Sequence, residues 1–194
     1  YLLGRLYYSL NKFKKANEFY KDARLLDPTE PIYRVGISQT SYALGKLKLA
    51  KSNATKALKR NPDLLEAELI LALISSRYGK QQEAKKRFLD LMDLQPSNQH
   101  LFLTYAKYLE QTDNRNKAIS LLEEFIIKNP NTAAIHDYLG RLHWFNGKLD
   151  LAIEKRERAA LLYRKSGNML MSSNISKWIN SKKEIIIAER NKKE

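Results

Sequence analysis

Small and apolar residues return at fixed places along the chain, in successive segments of 34 residues. Proline marks the period, because Pro28, Pro62, Pro96 and Pro130 are each 34 residues from the next. If proline is given position 32 of a 34-residue unit, position 20 is alanine in all five units: Ala16, Ala50, Ala84, Ala118 and Ala152. A period of this length predicts an array of structural repeats.

Position 8 is small in every unit, where it is Gly4, Ser38, Ala72, Ala106 and Gly140. Small side chains let two helices approach at the short end of the usual interaxial distance of about 8–10 Å. This pattern therefore predicts closely packed helices in each unit. No segment shows the alternation of apolar and polar residues that would predict a strand.

The turn between the two helices of a unit is marked at position 15, which is Asn11, Gly45, Gly79, Asp113 and Gly147. Glycine, asparagine and aspartate tolerate the left-handed backbone angles at which a helix ends. Each unit thus reads as a helix, a tight turn, a second helix and a proline stop. The predicted fold class is all-α.

These markers resemble the tetratricopeptide repeat (TPR) family, most closely in the first unit with Leu3, Gly4, Tyr7, Ala16, Tyr20, Ala23 and Pro28. The resemblance covers residues 1–164, although units two to four depart at position 8 and Arg164 replaces the proline of the fifth unit. It implies a right-handed superhelix of about five stacked helix-turn-helix pairs. It also implies a concave groove lined by the first helix of each pair.

Residues 165–194 are expected to form a C-terminal capping helix and a basic tail, because the last pair of a stack needs a cover for its apolar face. The side facing the stack is predicted to carry Met171, Ile175, Trp178 and Ile179, continued by residues 185–187. The outer side is predicted to carry Lys177, Lys182, Lys183 and Glu184. At the other end Tyr1 falls at position 5, so we expect the first repeat to be truncated and the array to continue before it.

Composition excludes several other classes of protein. Hydrophobic residues make up 43% of the chain, which is enough for a packed core and too many for a disordered chain. The longest apolar stretch, residues 64–74, contains two glutamates and is too short to span a membrane. Cysteine is absent, which excludes disulfides, thiol nucleophiles and thiolate metal sites.

No arrangement of residues predicts catalysis, a cofactor or a metal site. His136 and His143 are seven residues apart on one predicted helix, and we expect them to pack against neighbouring helices because no third metal ligand is nearby. The seven glycines are dispersed and form no phosphate-binding loop. We therefore expect a non-enzymatic chain without a cofactor.

The TPR resemblance implies that positions 2, 5, 9, 12 and 13 of the first helices face the groove. The predicted partner-binding residues at these positions are Arg5, Tyr8, Gln39, Tyr42, Arg77, His100, Lys107, Arg141, Trp144 and Phe145. Aromatic residues and arginine dominate binding energy at protein interfaces, and cations would hold carboxylates of a partner. For Tyr8 and Tyr42, packing between adjacent helices remains an open alternative. The HWFNG sequence puts Trp144 at an exposed helix end and favours binding there.

Two modes of recognition by helical repeats are not matched. Some TPR proteins grip the C-terminal carboxylate of the large cytosolic chaperones with lysine, arginine and asparagine at set positions, and no three consecutive units supply these residues here. An array that reads RNA one base per repeat needs similar side chains at the same groove position of every unit. Positions 2 and 5 show no such recurrence, so a base-reading array is not expected.

The sequence therefore predicts a scaffold or adaptor that binds a protein or peptide segment in the groove and serves the assembly of a larger complex. The cysteine-free composition, rich in lysine and asparagine, favours a bacterial chain in the cytoplasm or at the envelope, attached to pilus or secretion machinery. The alternatives include a regulatory TPR arm of an enzyme whose catalytic domain lies outside this sequence.

A further alternative concerns charge. The formal net charge is +14, and residues 155–194 hold eleven lysines and arginines against four acids. This excess is either a solvated helix face with a basic tail or a contact surface for anionic lipid or nucleic acid.

Overall fold

The computed structural model describes the backbone of residues 1–191 and the side chains of residues 1–184. Residues 192–194 of the predicted basic tail and the predicted apolar side chains of residues 185–187 lie outside the described residues. Within the described part the chain forms eleven α-helices and no strand, which confirms the predicted all-α repeat fold. No helix in that part is both long and apolar enough to cross a membrane.

The helices, in chain order, are α1 (Leu2–Ser9), α2 (Phe13–Leu26), α3 (Pro31–Ala43), α4 (Leu47–Leu58), α5 (Leu65–Arg77), α6 (Gln81–Leu94), α7 (Gln99–Gln111), α8 (Arg115–Lys128), α9 (Ala133–Phe145), α10 (Leu149–Lys165) and α11 (Met169–Asn191). They divide into two compact units, Tyr1–Leu94 with α1 to α6 and Gln95–Glu194 with α7 to α11. In each unit successive helices pack as pairs, and α11 packs against α10.

The pairs are held together where position 8 of the first helix meets position 20 of the second. The alanine at position 20 has no exposed surface in any of the five units. In the second pair the Ser38 hydroxyl donates a hydrogen bond of 2.7 Å to the backbone carbonyl of Ala50. In the fifth pair a Cβ added to Gly140 would lie 2.9 Å from the carbonyl oxygen of Ala152. Larger side chains at these positions would therefore separate the two helices.

The tight turns take the predicted conformation. Asn11 and Asp113 have φ of 57° and 58°, and Gly45, Gly79 and Gly147 also have positive φ. These five residues occupy position 15, so the left-handed residue that ends each first helix lies where the sequence predicts it.

The C-terminal helix covers the fifth pair with the predicted apolar side. Ile175 and Ile179 are buried and join a cluster with Ile153, Ala159 and Ala160 of α10. Lys177, Lys183 and Glu184 are exposed, as predicted. Gly167, with φ of 79°, reverses the chain between α10 and α11.

We predict that Ala84→Leu lowers the free energy of unfolding by roughly 1–3 kcal/mol, because a larger side chain at this fully buried position overpacks the α5–α6 pair. Urea unfolding followed by far-ultraviolet circular dichroism measures the change. The matched control is Ala43→Leu, the same substitution at an exposed position of α3. We expect the control to change stability by less than about 0.5 kcal/mol. Equal stability of the two variants would mean that the repeat register is wrong.

Candidate functional site

In the first unit, two of the predicted binding tyrosines are half-buried and follow one another on α1 and α3. Tyr8 packs against the core formed by Ala16, Tyr20 and Ile37. Tyr42 packs against the cluster centred on α4 and α5. Burial raises the pKa of both phenols above the ordinary range, and the neighbouring Tyr42 raises that of Tyr8 further. Each tyrosine thus anchors its helix and still keeps part of its ring at the surface.

The other predicted residues of the first unit are polar and lie at or near the surface. Arg5 is exposed, with its guanidinium carbon 5.9 Å from the ring centroid of Tyr1. Arg77 is exposed at the end of α5 and interacts electrostatically with Tyr42. Gln39 is half-buried. The expectation that position 5 faces a groove is wrong for this unit, because Val35 and Leu69 are core residues with at most 3% of their surface exposed.

In the second unit, α7 and α9 form a face with a tyrosine between two cations. The Nζ atom of Lys107 lies 6.0 Å from the ring centroid of Tyr138, and the guanidinium carbon of Arg141 lies 5.2 Å from it. Both cations are exposed, whereas the tyrosine is buried. The electron-rich face of a phenol ring attracts cations at such distances. We call Lys107, Tyr138 and Arg141, together with Glu110, the α7–α9 face.

Glu110 holds the ring in place, because the Tyr138 hydroxyl donates a hydrogen bond to its carboxylate. Burial and this hydrogen bond raise the pKa of Tyr138 above its ordinary range, so the phenol stays neutral at physiological pH. The tyrosine therefore positions Lys107 and Arg141 and does not neutralise their charge. Among the described residues neither cation forms an ion pair within 4.0 Å.

A third cation and a second aromatic ring extend the α7–α9 face. The Arg115 guanidinium carbon, at the start of α8, lies 5.7 Å from the ring centroid of Phe145. Phe145 is 59% exposed at the end of α9, and the Nε atom of Arg115 is buried without a hydrogen-bond partner in the described part of the chain. Arg115 also acts electrostatically on Tyr138. The surface thus combines three cations with exposed aromatic area.

The remaining predicted residues of the second unit are His100 and Trp144. His100 is exposed in the first turn of α7, whose start is capped by the Asn98 side chain. The expectation of an exposed helix end for Trp144 is wrong. Its ring is half-buried and meets Trp178 edge to face, with centroids 5.1 Å apart, because α11 covers this side of α9. A binding role for Trp144 stays a prediction, but the residue clearly contributes to packing.

A charged side chain links α9, α10 and α11 beside this tryptophan pair. Arg156 of α10 contacts Asp137 of α9 through two guanidinium nitrogens, each 2.9 Å from the carboxylate. Its guanidinium carbon also lies 4.0 Å from the ring centroid of Trp178 on α11. The Arg156 side chain passes over Gly140, where an added Cβ would approach its Cγ to 2.3 Å. Glycine at this position therefore leaves the room that the arginine needs.

The two predicted packing histidines are buried as expected. His136 Nε2 lies 2.9 Å from the carbonyl oxygen of Pro130, and His143 Nε2 lies 3.3 Å from the Glu123 carboxylate. Burial lowers the pKa of both imidazoles, although Glu123 opposes the shift for His143. No group of three or more metal-ligating side chains lies together in the described part of the chain.

Sequence reasoning overlooked Tyr138, Glu110 and Arg115. A usable signal exists for the surface they build, since Lys107 and Arg141 are 34 residues apart and hold the same repeat position. Tyr138 precedes Arg141 by three residues and Glu110 follows Lys107 by three, so each lies one helical turn from a predicted cation. Their mutual hydrogen bond depends on the packing of α7 on α9, which the pattern within one helix does not contain.

Comparison with protein families matches nearly the whole repeat region. The family model for the N-terminal TPR repeats region of Psidin matches residues 40–169, and the tetratricopeptide repeat model matches residues 1–30.

Two curated relatives and one solved structure are similar to the chain. Protein O-mannosyl-transferase TMTC1 of Homo sapiens is 25% identical over 179 residues, which are 90% of this chain and 20% of that protein. The Mus musculus TMTC1 protein is 28% identical over 212 residues, covering 90% of this chain and 22% of that protein. The chain thus spans about a fifth of the length of these curated relatives. The crystal structure of TTC0263, a thermophilic TPR protein of Thermus thermophilus, has a TM-score of 0.69 and 20% identity, and covers 90% of this chain and 94% of that one.

The lowered pKa values of His136 and His143 predict that acid destabilises the protein. Both imidazoles are neutral in the folded chain and titrate near their ordinary value of about 6.5 when unfolded. The unfolded state therefore binds protons first, so stability is complete above about pH 6.5 and decreases as the pH falls through the folded-state pKa values.

Urea unfolding at about pH 7.5 and about pH 5.5, together with NMR titration of the imidazoles, measures this effect. The double variant His136→Gln and His143→Gln should reduce the difference between the two pH values, whereas His100→Gln, at the exposed histidine, should leave it unchanged. Titration of all three imidazoles at the same pH would contradict the prediction.

Proposed function

The chain belongs to the tetratricopeptide repeat family, and from this premise we propose that it is a non-enzymatic scaffold which binds an acidic protein segment on the α7–α9 face. The repeat fold supports a protein-interaction role in general. The α7–α9 face is the single observation that carries the more specific proposal, because it holds two exposed cations beside one buried, neutral tyrosine.

The chemistry of this surface favours carboxylates on the partner. Lys107 and Arg141 keep their charge and have no carboxylate within 4.0 Å among the described residues, so a partner's Asp or Glu would meet cations that no internal acid satisfies. The exposed ring of Phe145, with Arg115 over it, adds an apolar contact beside them. An extended segment with alternating acidic and apolar side chains fits this combination.

The first unit offers a second, less charged surface for the same partner. Tyr8 and Tyr42 keep part of their rings accessible, and Arg5, Gln39 and Arg77 accompany them on the first helices. These residues are proposed as further contacts. Scaffolds of this kind serve the assembly of larger complexes, which is the role we propose for the chain.

A second candidate function is supported by the similarity to TMTC1. Because 90% of this chain matches about a fifth of a protein named as an O-mannosyl-transferase, the chain could act as the interaction arm of a larger enzyme. The catalytic groups would then lie outside this sequence, and the α7–α9 face would contact the enzyme's substrate or a regulator. Sequencing the complete gene distinguishes the two, since a catalytic domain supports the arm and further repeats support the independent scaffold.

The proposal predicts that the double variant Lys107→Ala and Arg141→Ala binds acidic peptides roughly tenfold more weakly, because two charge-assisted contacts are lost. Fluorescence anisotropy with a labelled peptide of alternating Glu and Leu or Phe residues measures the affinity. The peptide control carries Lys in place of every Glu and should not bind.

The protein control is the double variant Lys117→Ala and Lys128→Ala, which removes the same charge from exposed positions of α8. It should bind the acidic peptide nearly as well as the unchanged chain does. If both double variants lose affinity equally, net charge accounts for binding and the α7–α9 face does not. If neither loses affinity, the partner binds elsewhere.

A further inference from the structure

The turn between α10 and α11 is exposed along its entire length. All seven residues from Arg164 to Leu170 are exposed, including Met169 at 60% and Leu170 at 71%. Arg164 and Lys165 end α10, and Met169 begins α11 after a short reversal at Gly167. Two cations and two large apolar side chains thus lie within one short surface turn.

The charge around this turn has a single sign. No acidic residue occurs between Glu157 and Glu184, whereas six cations do: Arg158, Arg164, Lys165, Lys177, Lys182 and Lys183. Of these six, Lys183 alone forms an ion pair with a described residue, at 2.7 Å from Glu157. The cations nearest the turn therefore face solvent without a neighbouring carboxylate.

The apolar and basic residues share one surface of α10. An open groove of about 260 Å³ between α10 and α11 is lined by Leu161 and Arg164 together with Ala160 and Ile179. Leu161 is 42% exposed, so it extends the apolar area of the turn along α10. Exposed apolar side chains bordered by cations are the arrangement found where proteins lie on membranes, because the apolar groups enter the interface and the cations remain at the headgroups.

We propose that the α10–α11 turn docks on the surface of a bilayer containing anionic phospholipid. Met169 and Leu170 would enter the interfacial region, and Arg164, Lys165 and Lys177 would contact the negatively charged headgroups. Charge complementarity identifies the occupant, because a basic stretch free of acids matches an anionic surface. A nucleic acid would use exposed aromatic rings for stacking, whereas the large exposed side chains of this turn are aliphatic. This surface is separate from the α7–α9 face, so the two proposals stand or fall independently.

Sedimentation with phospholipid vesicles tests the proposal. The chain should bind vesicles of phosphatidylcholine with about 30% phosphatidylserine and should not bind vesicles of phosphatidylcholine alone. Binding should weaken strongly between about 0.1 M and about 0.5 M salt, since the electrostatic part is screened. The same titration with a fluorescent single-stranded oligonucleotide distinguishes nucleic acid from lipid.

Two pairs of variants separate the apolar and the electrostatic contributions. Met169→Ser with Leu170→Ser should weaken vesicle binding roughly tenfold. Its control, Leu25→Ser with Leu26→Ser, removes two leucines that are 73% and 89% exposed at the end of α2, and should leave binding unchanged. Arg164→Gln with Lys165→Gln should weaken binding by roughly an order of magnitude. Its control is Lys85→Gln with Lys86→Gln on exposed positions of α6.

The proposal is overturned if the chain ignores anionic vesicles, or if each turn variant binds them as its control does. It is also overturned if the oligonucleotide binds, the vesicles do not, and the Met169 and Leu170 variant retains the unchanged affinity. Loss of vesicle binding in both turn variants, with both controls intact, supports it.

Discussion

The close approach of two helices at an alanine is the constraint on which the rest of this structure depends. In each pair the position-20 alanine is fully buried, and in the second and fifth pairs the facing small residue lies against its backbone carbonyl. A separation this short fixes which side of each helix is hidden. The opposite side of the first helix then stays free to carry tyrosine, lysine and arginine. Packing and binding are thus assigned to different sides of the same short segments.

The second constraint is electrostatic. A chain of net charge +14 must distribute its cations so that they do not oppose folding. The structure does so in three ways: carboxylates hold some cations, as Asp137 holds Arg156, aromatic rings accept others, as Tyr138 accepts Lys107 and Arg141, and the remainder face solvent. The neutral phenol of Tyr138 matters here, because a ring attracts a cation without cancelling its charge. Such a cation is positioned by the fold and still attracts anions.

The sequence predicts most of the fold because its markers act locally. Asn11 and Asp113 end helices by their own backbone preference, and Ala84 is small for reasons that recur every 34 residues. The candidate site was predicted in part, through Lys107 and Arg141, since their positions follow from the period. Trp144 was placed at an exposed end because the sequence around it resembles a helix terminus, and its contact with Trp178 comes from a helix that begins more than twenty residues later. Contacts made across helices, including Tyr138 with Glu110, depend on side-chain directions that a one-dimensional period does not hold.

The arginine that crosses Gly140 has a consequence for how such chains can be recombined. At the corresponding position the earlier units carry Tyr20, Ala54, Phe88 and Leu122, whereas the fifth carries Arg156, held by Asp137 and stacked on Trp178. A designer who cut the chain after Lys165 and grafted a different repeat there would leave a guanidinium and the ring of Trp144 without their covering tryptophan. The fifth pair and α11 therefore form one indivisible module, and the junction for lengthening or shortening the array lies before α9.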